Sequence, residues 1–375
     1  MSVAIPLTRR STEESMQFPG KKLPPLGVVF DSSMGRKIDD VLALGFIFGL
    51  TARQEPEVRV ISVTISHGDL KAAAFCDAMA WFFTDWKQRE LPKRFRRRSR
   101  GPLKALPVGL LIENGSPLDA PMITAALSQR DANGEPSYRH TVKRPSDTAD
   151  VAAVIRNALT AQHDQNAVVV LTGPATNLAR LLDLHNIKPL LTKKIRHLVM
   201  EASVHLGATS DYNIAHDIPA ARKLFAEWPT PIIVVGPETG HALPYPGSSI
   251  ENDFGWTTRH PVVDAYRAYQ EMPYDAPSAA MVAALYAIRP KRGYFHVSKP
   301  GRIDILNNGR TRFVPLANGQ HSYLAVDSKQ KGRIIETYRD VLSSIPAKEE
   351  TSDYLRKIVE EVIEREVKKQ TPGKE

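Results

Sequence analysis

The sequence predicts an α/β fold: a single doubly wound, mostly parallel sheet with helices on both faces. Three observations carry this expectation. Short segments that are almost wholly apolar and β-branched recur along the chain, as strands buried on both faces do. Segments with apolar residues at helical spacing stand between them, the alternation of a parallel sheet. Several apolar segments end in an acid or a hydroxyl, at the strand ends where such sheets bind ligands.

The elements follow in order. Residues 1–23 are polar and aperiodic and read as a mobile lead-in. Leu26-Gly27-Val28-Val29-Phe30-Asp31 reads as the first buried strand. Residues 38–50 follow as a helix, with Val41, Leu42, Leu44, Ile47 and Phe48 at helical spacing. Residues 58–65 form the second strand, and 70–86 a helix carrying Phe75, Met79, Phe82 and Phe83 on one face. Strands are then expected at 108–112, 167–171, 195–200 and 231–235, and helices at 150–159, 175–182, 219–226 and 278–288. Residues 284–330 read as short strands and turns, with turn signals at Asn307-Asn308-Gly309 and Ala317-Asn318-Gly319. Residues 113–147 and 237–274 show no readable pattern. Near the end, Leu355, Ile358, Val359, Val362 and Ile363 share one face of an amphipathic helix. The expected organisation is a mobile segment 1–23, an α/β domain 24–346 and a charged amphipathic tail 347–375.

Composition narrows the class. The chain has 375 residues, 42% hydrophobic and 24% charged, which excludes a collagen, a wholly disordered chain and a disulfide scaffold. No apolar stretch approaches the roughly 18 residues of a membrane span; the longest apolar run, 41–50, begins directly after Asp39-Asp40. The single cysteine, Cys76, lies in a helical segment and reads as a small buried residue; one cysteine excludes intrachain disulfides and cysteine-rich zinc sites. Arg9-Arg10 are followed by polar residues and no apolar core, so no secretory signal is read and a cytoplasmic location is expected. Much of the net charge of +9 sits in Lys93-Arg94-Phe95-Arg96-Arg97-Arg98-Ser99-Arg100. This run reads as a solvated loop; polyanion binding is the alternative, and nucleic acid is not the expected partner.

The strand model collects polar residues at one end of the sheet: Asp31, Asp39, Asp40, Asp69, Asp211, Asn213 and Asp275. Clustered carboxylates hold a hard cation such as calcium, or accept hydrogen bonds from sugar hydroxyls. Helix N-capping is the alternative for individual acids, Asp39 and Asp275 above all.

These residues resemble a family. Val28-Val29-Phe30-Asp31-Ser32-Ser33-Met34-Gly35-Arg36-Lys37-Ile38-Asp39-Asp40 is similar to the N-terminal signature of the inosine–uridine-preferring nucleoside hydrolases: aspartate–x–aspartate–x–glycine, then an aspartate pair and an apolar helix. Leu171-Thr172-Gly173-Pro174-Ala175-Thr176-Asn177, Asp211-Tyr212-Asn213-Ile214-Ala215-His216-Asp217-Ile218-Pro219 and Tyr274-Asp275 resemble three further blocks, in order. The resemblance implies calcium-dependent hydrolysis of the N-glycosidic bond of a ribonucleoside, giving ribose and free base, in a chain that is often a dimer or tetramer. It implies calcium ligands at Asp40, Asp275, the Thr172 carbonyl and, more weakly, Ser33. Asp39, Asp69, Asp211, Asn213, Asp275 and Tyr274 would meet the substrate, and His67 is a candidate near the mouth.

The chain departs from the pattern at Ser33, where the family places a calcium-binding aspartate that is the usual general base. A neutral hydroxyl does not take up the water proton unaided, and a lost carboxylate weakens calcium binding. Asp31, Asp39 or Asp40 would then act as base. Arg36 and Lys37 add two positive charges beside the expected cation; if they face inward they oppose a metal or serve a more anionic substrate. Tyr274 stands where many members carry a histidine that assists the leaving base. The alternative function is a weak or inactive member that binds a ribosyl ligand or a protein partner.

Overall fold

Strand β1 (Leu26–Ser32) is buried at every position, the state its continuous apolar run requires. The computed structural model describes residues 24–89, 106–112, 118, 120–204 and 211–346. The expected lead-in 1–23, the basic run 93–100 and the amphipathic segment of the tail lie outside the described residues.

The other strands are β2 (Val58–Ile65), β3 (Val108–Leu110), β4 (Ala167–Leu171), β5 (Ile195–Glu201), β6 (Ile232–Val235), β7 (Phe295–Val297), β8 (Gly301–Ile305), β9 (Thr311–Pro315) and β10 (His321–Val326). They form one sheet in the order β3-β2-β1-β4-β5-β6-β10-β8-β9, with β7 pairing β10. Pairing is parallel from β3 through β6 to β10, and antiparallel among β7–β10. The expected mostly parallel, doubly wound sheet is what the chain forms.

Alternate residues of each central strand face opposite sides. Val28, Phe30, Val168, Val170 and Val199 pack with the helices Ile38–Thr51, Ala279–Ile288 and Lys331–Leu342. Val29, Val169, Leu171, Leu198 and Met200 pack with Val151–Thr160, Thr176–Leu182 and Ile218–Glu227. Among the described residues, no helix is long and apolar enough to cross a membrane.

Two expectations need correction. The segments without a readable pattern contain the helices Pro121–Ser128, Pro237–Ala242, Gly247–Asn252 and Pro261–Tyr269. Residues 284–288 belong to the helix Ala279–Ile288, as the expected helix 278–288 has them, so the short-strand region begins after it and not at 284. Both glycine turn signals are turns: the Leu306 N–H meets the Arg310 carbonyl at 2.8 Å, and the Gly319 N–H meets the Leu316 carbonyl at 2.9 Å.

Strand order reverses between β1 and β4, whose carboxyl ends lie side by side. Such a switch point opens a crevice for a ligand. Gly173 closes the approach: a Cβ there would stand 2.7 Å from the Ser33 backbone nitrogen and 2.9 Å from Ser66 Oγ. Gly173→Ala is therefore expected to destabilise the fold by about 1–3 kcal/mol, read as a lower urea midpoint; an unchanged midpoint would mean that the two strand ends separate freely.

Candidate functional site

At the end of β1, Asp31 is wholly buried. Its Oδ2 accepts from Thr64 Oγ1 at 2.5 Å and from Asn177 Nδ2 at 2.9 Å, while Oδ1 has no partner. Burial pushes its pKa up to about 7, and the two hydrogen bonds offset part of that rise. Ser33 is buried with its hydroxyl unpartnered. It opens a turn closed by the Arg36 N–H on its carbonyl at 3.0 Å, with Gly35 at φ 101° in the position where a type II turn requires positive φ.

Helix Ile38–Thr51 then delivers Asp39 and Asp40 in its first turn, where the helix dipole favours carboxylates. Asp39 Oδ2 accepts the Ala280 N–H at 3.2 Å, at the start of Ala279–Ile288. Asp40 is wholly buried; neither of its oxygens is held in a hydrogen bond of good geometry, and the Thr172 and Ser32 hydroxyls stand close enough to lower its pKa somewhat. Burial raises its pKa to about 7; the Lys37 charge opposes the rise, and Asp39 adds to it.

Glu201, the last residue of β5, completes the group and was not among the expected site residues. The signal was present: it is one more acid at the carboxyl end of an apolar run. Its Oε1 accepts a hydrogen bond from Lys37 Nζ, and its Oε2 is buried without a partner. Burial lifts its pKa to about 8, opposed by Lys37 and reinforced by Asp39 and Asp40.

Lys37 faces inward. Its side chain is 34% exposed, and Nζ also lies 3.8 Å from Asp39 Oδ1. Burial works against its charge, but the carboxylates of Asp39, Glu201 and Asp40 hold the ammonium above its usual range. Arg36 turns the other way: it is exposed, with its guanidinium 3.3 Å from the centre of the Tyr212 ring.

The remaining expected residues divide. Thr172 is buried at the end of β4, and its carbonyl accepts from Asn213 Nδ2 at 3.2 Å. The same amide donates to the Glu201 carbonyl at 3.0 Å, so Asn213 ties β4 to β5. Asp211 caps its own turn through the Asn213 N–H at 2.8 Å, and burial raises its pKa. Asp69 caps the next helix through the Lys71 N–H at 2.8 Å, leaving Oδ2 buried and unpartnered. His67 Nε2 donates to the Met34 carbonyl at 3.1 Å and Nδ1 accepts the Asp69 N–H at 3.3 Å; burial lowers its pKa, and the ring is neutral.

Tyr274 and Asp275 make other contacts. The Tyr274 hydroxyl donates to the Tyr266 carbonyl at 2.6 Å, and the two rings stack at 4.3 Å. Asp275 is exposed, and its Oδ1 accepts the Gly247 N–H at 2.8 Å, capping Gly247–Asn252.

A calcium ion takes six to eight oxygens, several from carboxylates. Of the four expected ligands, Asp40 offers two free carboxylate oxygens and Ser33 only a neutral hydroxyl. The Thr172 carbonyl accepts one hydrogen bond and keeps a second lone pair, and one oxygen of Asp275 is taken by the Gly247 N–H. Lys37 places an ammonium among the acids, and among the described residues no three histidine, cysteine or acidic side chains form a metal-binding group. This donor set does not fit calcium.

A sequence model described as "Inosine-uridine preferring nucleoside hydrolase" matches residues 28–339. No curated protein matches the chain. Solved structures share the fold. An inosine-uridine preferring nucleoside hydrolase from Bacillus anthracis is 15% identical, with a TM-score of 0.58, covering 85% of this chain and 100% of its own. The plant nucleoside hydrolase PpNRh1 is 17% identical, with a TM-score of 0.56, covering 86% of this chain and 100% of its own. The type III effector XopQ, solved with adenosine diphosphate ribose, is 14% identical, with a TM-score of 0.58, covering 86% of this chain and 95% of its own.

The raised carboxyls set a pH dependence. An unfolded aspartate releases its proton near pH 4, whereas Asp40 keeps it to about 7. The folded chain therefore binds more protons across that window, and stability falls as pH rises through it. Asp40→Asn is expected to remove on the order of 2 kcal/mol of that fall, so that the variant is the more stable protein at pH 8. Urea midpoints at pH 5 and pH 8 check this; parallel pH trends in the two proteins would contradict it.

Proposed function

Because the chain belongs to the inosine-uridine preferring nucleoside hydrolase family, we propose that its acidic cluster binds the ribosyl group of a nucleoside or related riboside and slowly hydrolyses the N-glycosidic bond. One observation carries the reading: Asp40 presents two buried, unpartnered carboxylate oxygens beside Asp39, Glu201 and Lys37. Buried acceptors without donors are costly, and sugar hydroxyls and a water are the donors they lack.

In this reading Asp39 and Glu201 hold ribose hydroxyls, and the Asp40 carboxylate takes a proton from the attacking water. That water adds to the anomeric carbon as the bond to the base breaks, through an oxocarbenium-like transition state. A carboxyl with a pKa of about 7 is well matched to base catalysis near neutrality. Asp31 shapes the floor, fixed by Thr64 and Asn177. Neither His67 nor Tyr274 holds a free proton for the leaving base, and this limits turnover. Calcium, implied by the resemblance, is assigned no role because the donor set does not fit it.

A second reading rests on Ser33. With a hydroxyl where the family signature has an acid, the cluster would bind a ribosyl ligand without cleaving it. Ribose release from a panel of nucleosides, measured alongside binding, separates the two. The first reading expects release that rises with pH through about 7, and a loss of about 10²–10⁴-fold in Asp40→Asn. Binding without release would favour the second reading; absence of both would refute the assignment of the ligand site.

A further inference from the structure

We propose that Lys37 is the resident cation of this site: its ammonium takes the place of a divalent metal, and the cluster assembles and binds its ligand without one. The inference rests on the reading of the cluster as the ligand site and goes beyond it. Lys37 directly precedes helix Ile38–Thr51, where the helix dipole disfavours positive charge. It nevertheless turns inward to Glu201 Oε1 and Asp39 Oδ1, and its charge acts on Asp40 and Asp211 as well. Acids from two separate segments, Asp39 and Glu201, thus meet on one ammonium.

The charge balance agrees. Relative to the family signature, Ser33 removes one negative charge, and Lys37 brings one positive charge. Together these changes equal the charge of one divalent cation. A metal ion entering beside Asp40 would meet the ammonium as a like charge in a partly buried site, where the two repel. The ammonium differs from a metal in what it offers: three rotatable hydrogen-bond donors, and none of a divalent metal's power to acidify a bound water. It therefore organises the acids and leaves proton removal to a carboxylate.

The test titrates the full chain with calcium chloride, read by calorimetry and by Tm in calcium against EDTA. The expected result is no saturable heat up to about millimolar calcium and the same Tm in both, since only a ligand that binds the folded state raises Tm. The double variant Ser33→Asp with Lys37→Met is expected to gain saturable binding and a calcium-dependent rise in Tm. Micromolar calcium binding by the unaltered chain would overturn the proposal. So would a folded double variant that still ignores calcium. If the double variant does not fold, the unaltered chain's titration decides alone. A chain that ignores calcium and also binds no riboside would refute the functional reading and this proposal with it; riboside binding that requires added calcium would overturn this proposal alone.

Discussion

The site depends on one electrostatic contact, the Lys37 ammonium among Glu201, Asp39 and Asp40. Without a positive charge there, mutual repulsion would push the pKa values of Asp40 and Glu201 higher still. With it, the group is an acid–base system in which Asp40 titrates at about 7 and Glu201 at about 8. The contact also joins elements distant in sequence: the loop after β1 and the end of β5 are 164 residues apart.

The scaffold makes that contact possible. A parallel sheet directs its strand ends to one side, and the reversal between β1 and β4 opens the space. Gly173 keeps the two ends close, and Gly35 turns the chain so that Lys37 and the aspartate pair arrive together. Helix Ala279–Ile288 holds Asp39 through the Ala280 N–H. The acids are thus held by backbone and by Lys37, while Asp40 keeps both oxygens free.

Much of the sheet was legible because strands buried on both faces are continuous apolar runs, as at Val168-Val169-Val170. The helices Pro237–Ala242 and Gly247–Asn252 were not, being a turn or two long and rich in glycine and polar residues. The strand pattern alone brings Asp31, Asp39 and Asp40 towards one end of the sheet, whereas Ser33 and Thr172 enter only through the family resemblance. The orientations of Arg36 and Lys37 were hidden, since adjacent residues of extended backbone point to opposite sides and only the fold determines which side is the interior. Lys37 has the extended φ of −130° and ψ of 149°; Arg36 finds the Tyr212 ring outside. Asp275 shows the converse: its place before a helix reads as a cap, and it does cap a helix, but through the Gly247 N–H of Gly247–Asn252, a partner that local sequence does not reveal.

The family scaffold and the cation choice are therefore separable properties of this chain: the first follows from the sheet, the second from two side chains in one loop. The most direct measurement is a crystal structure grown in millimolar calcium. The account predicts Lys37 Nζ within hydrogen-bonding distance of Glu201 and no ion beside Asp40. Density for an ion coordinated by Asp40, Ser33 and the Thr172 carbonyl, with Lys37 displaced into solvent, would contradict it.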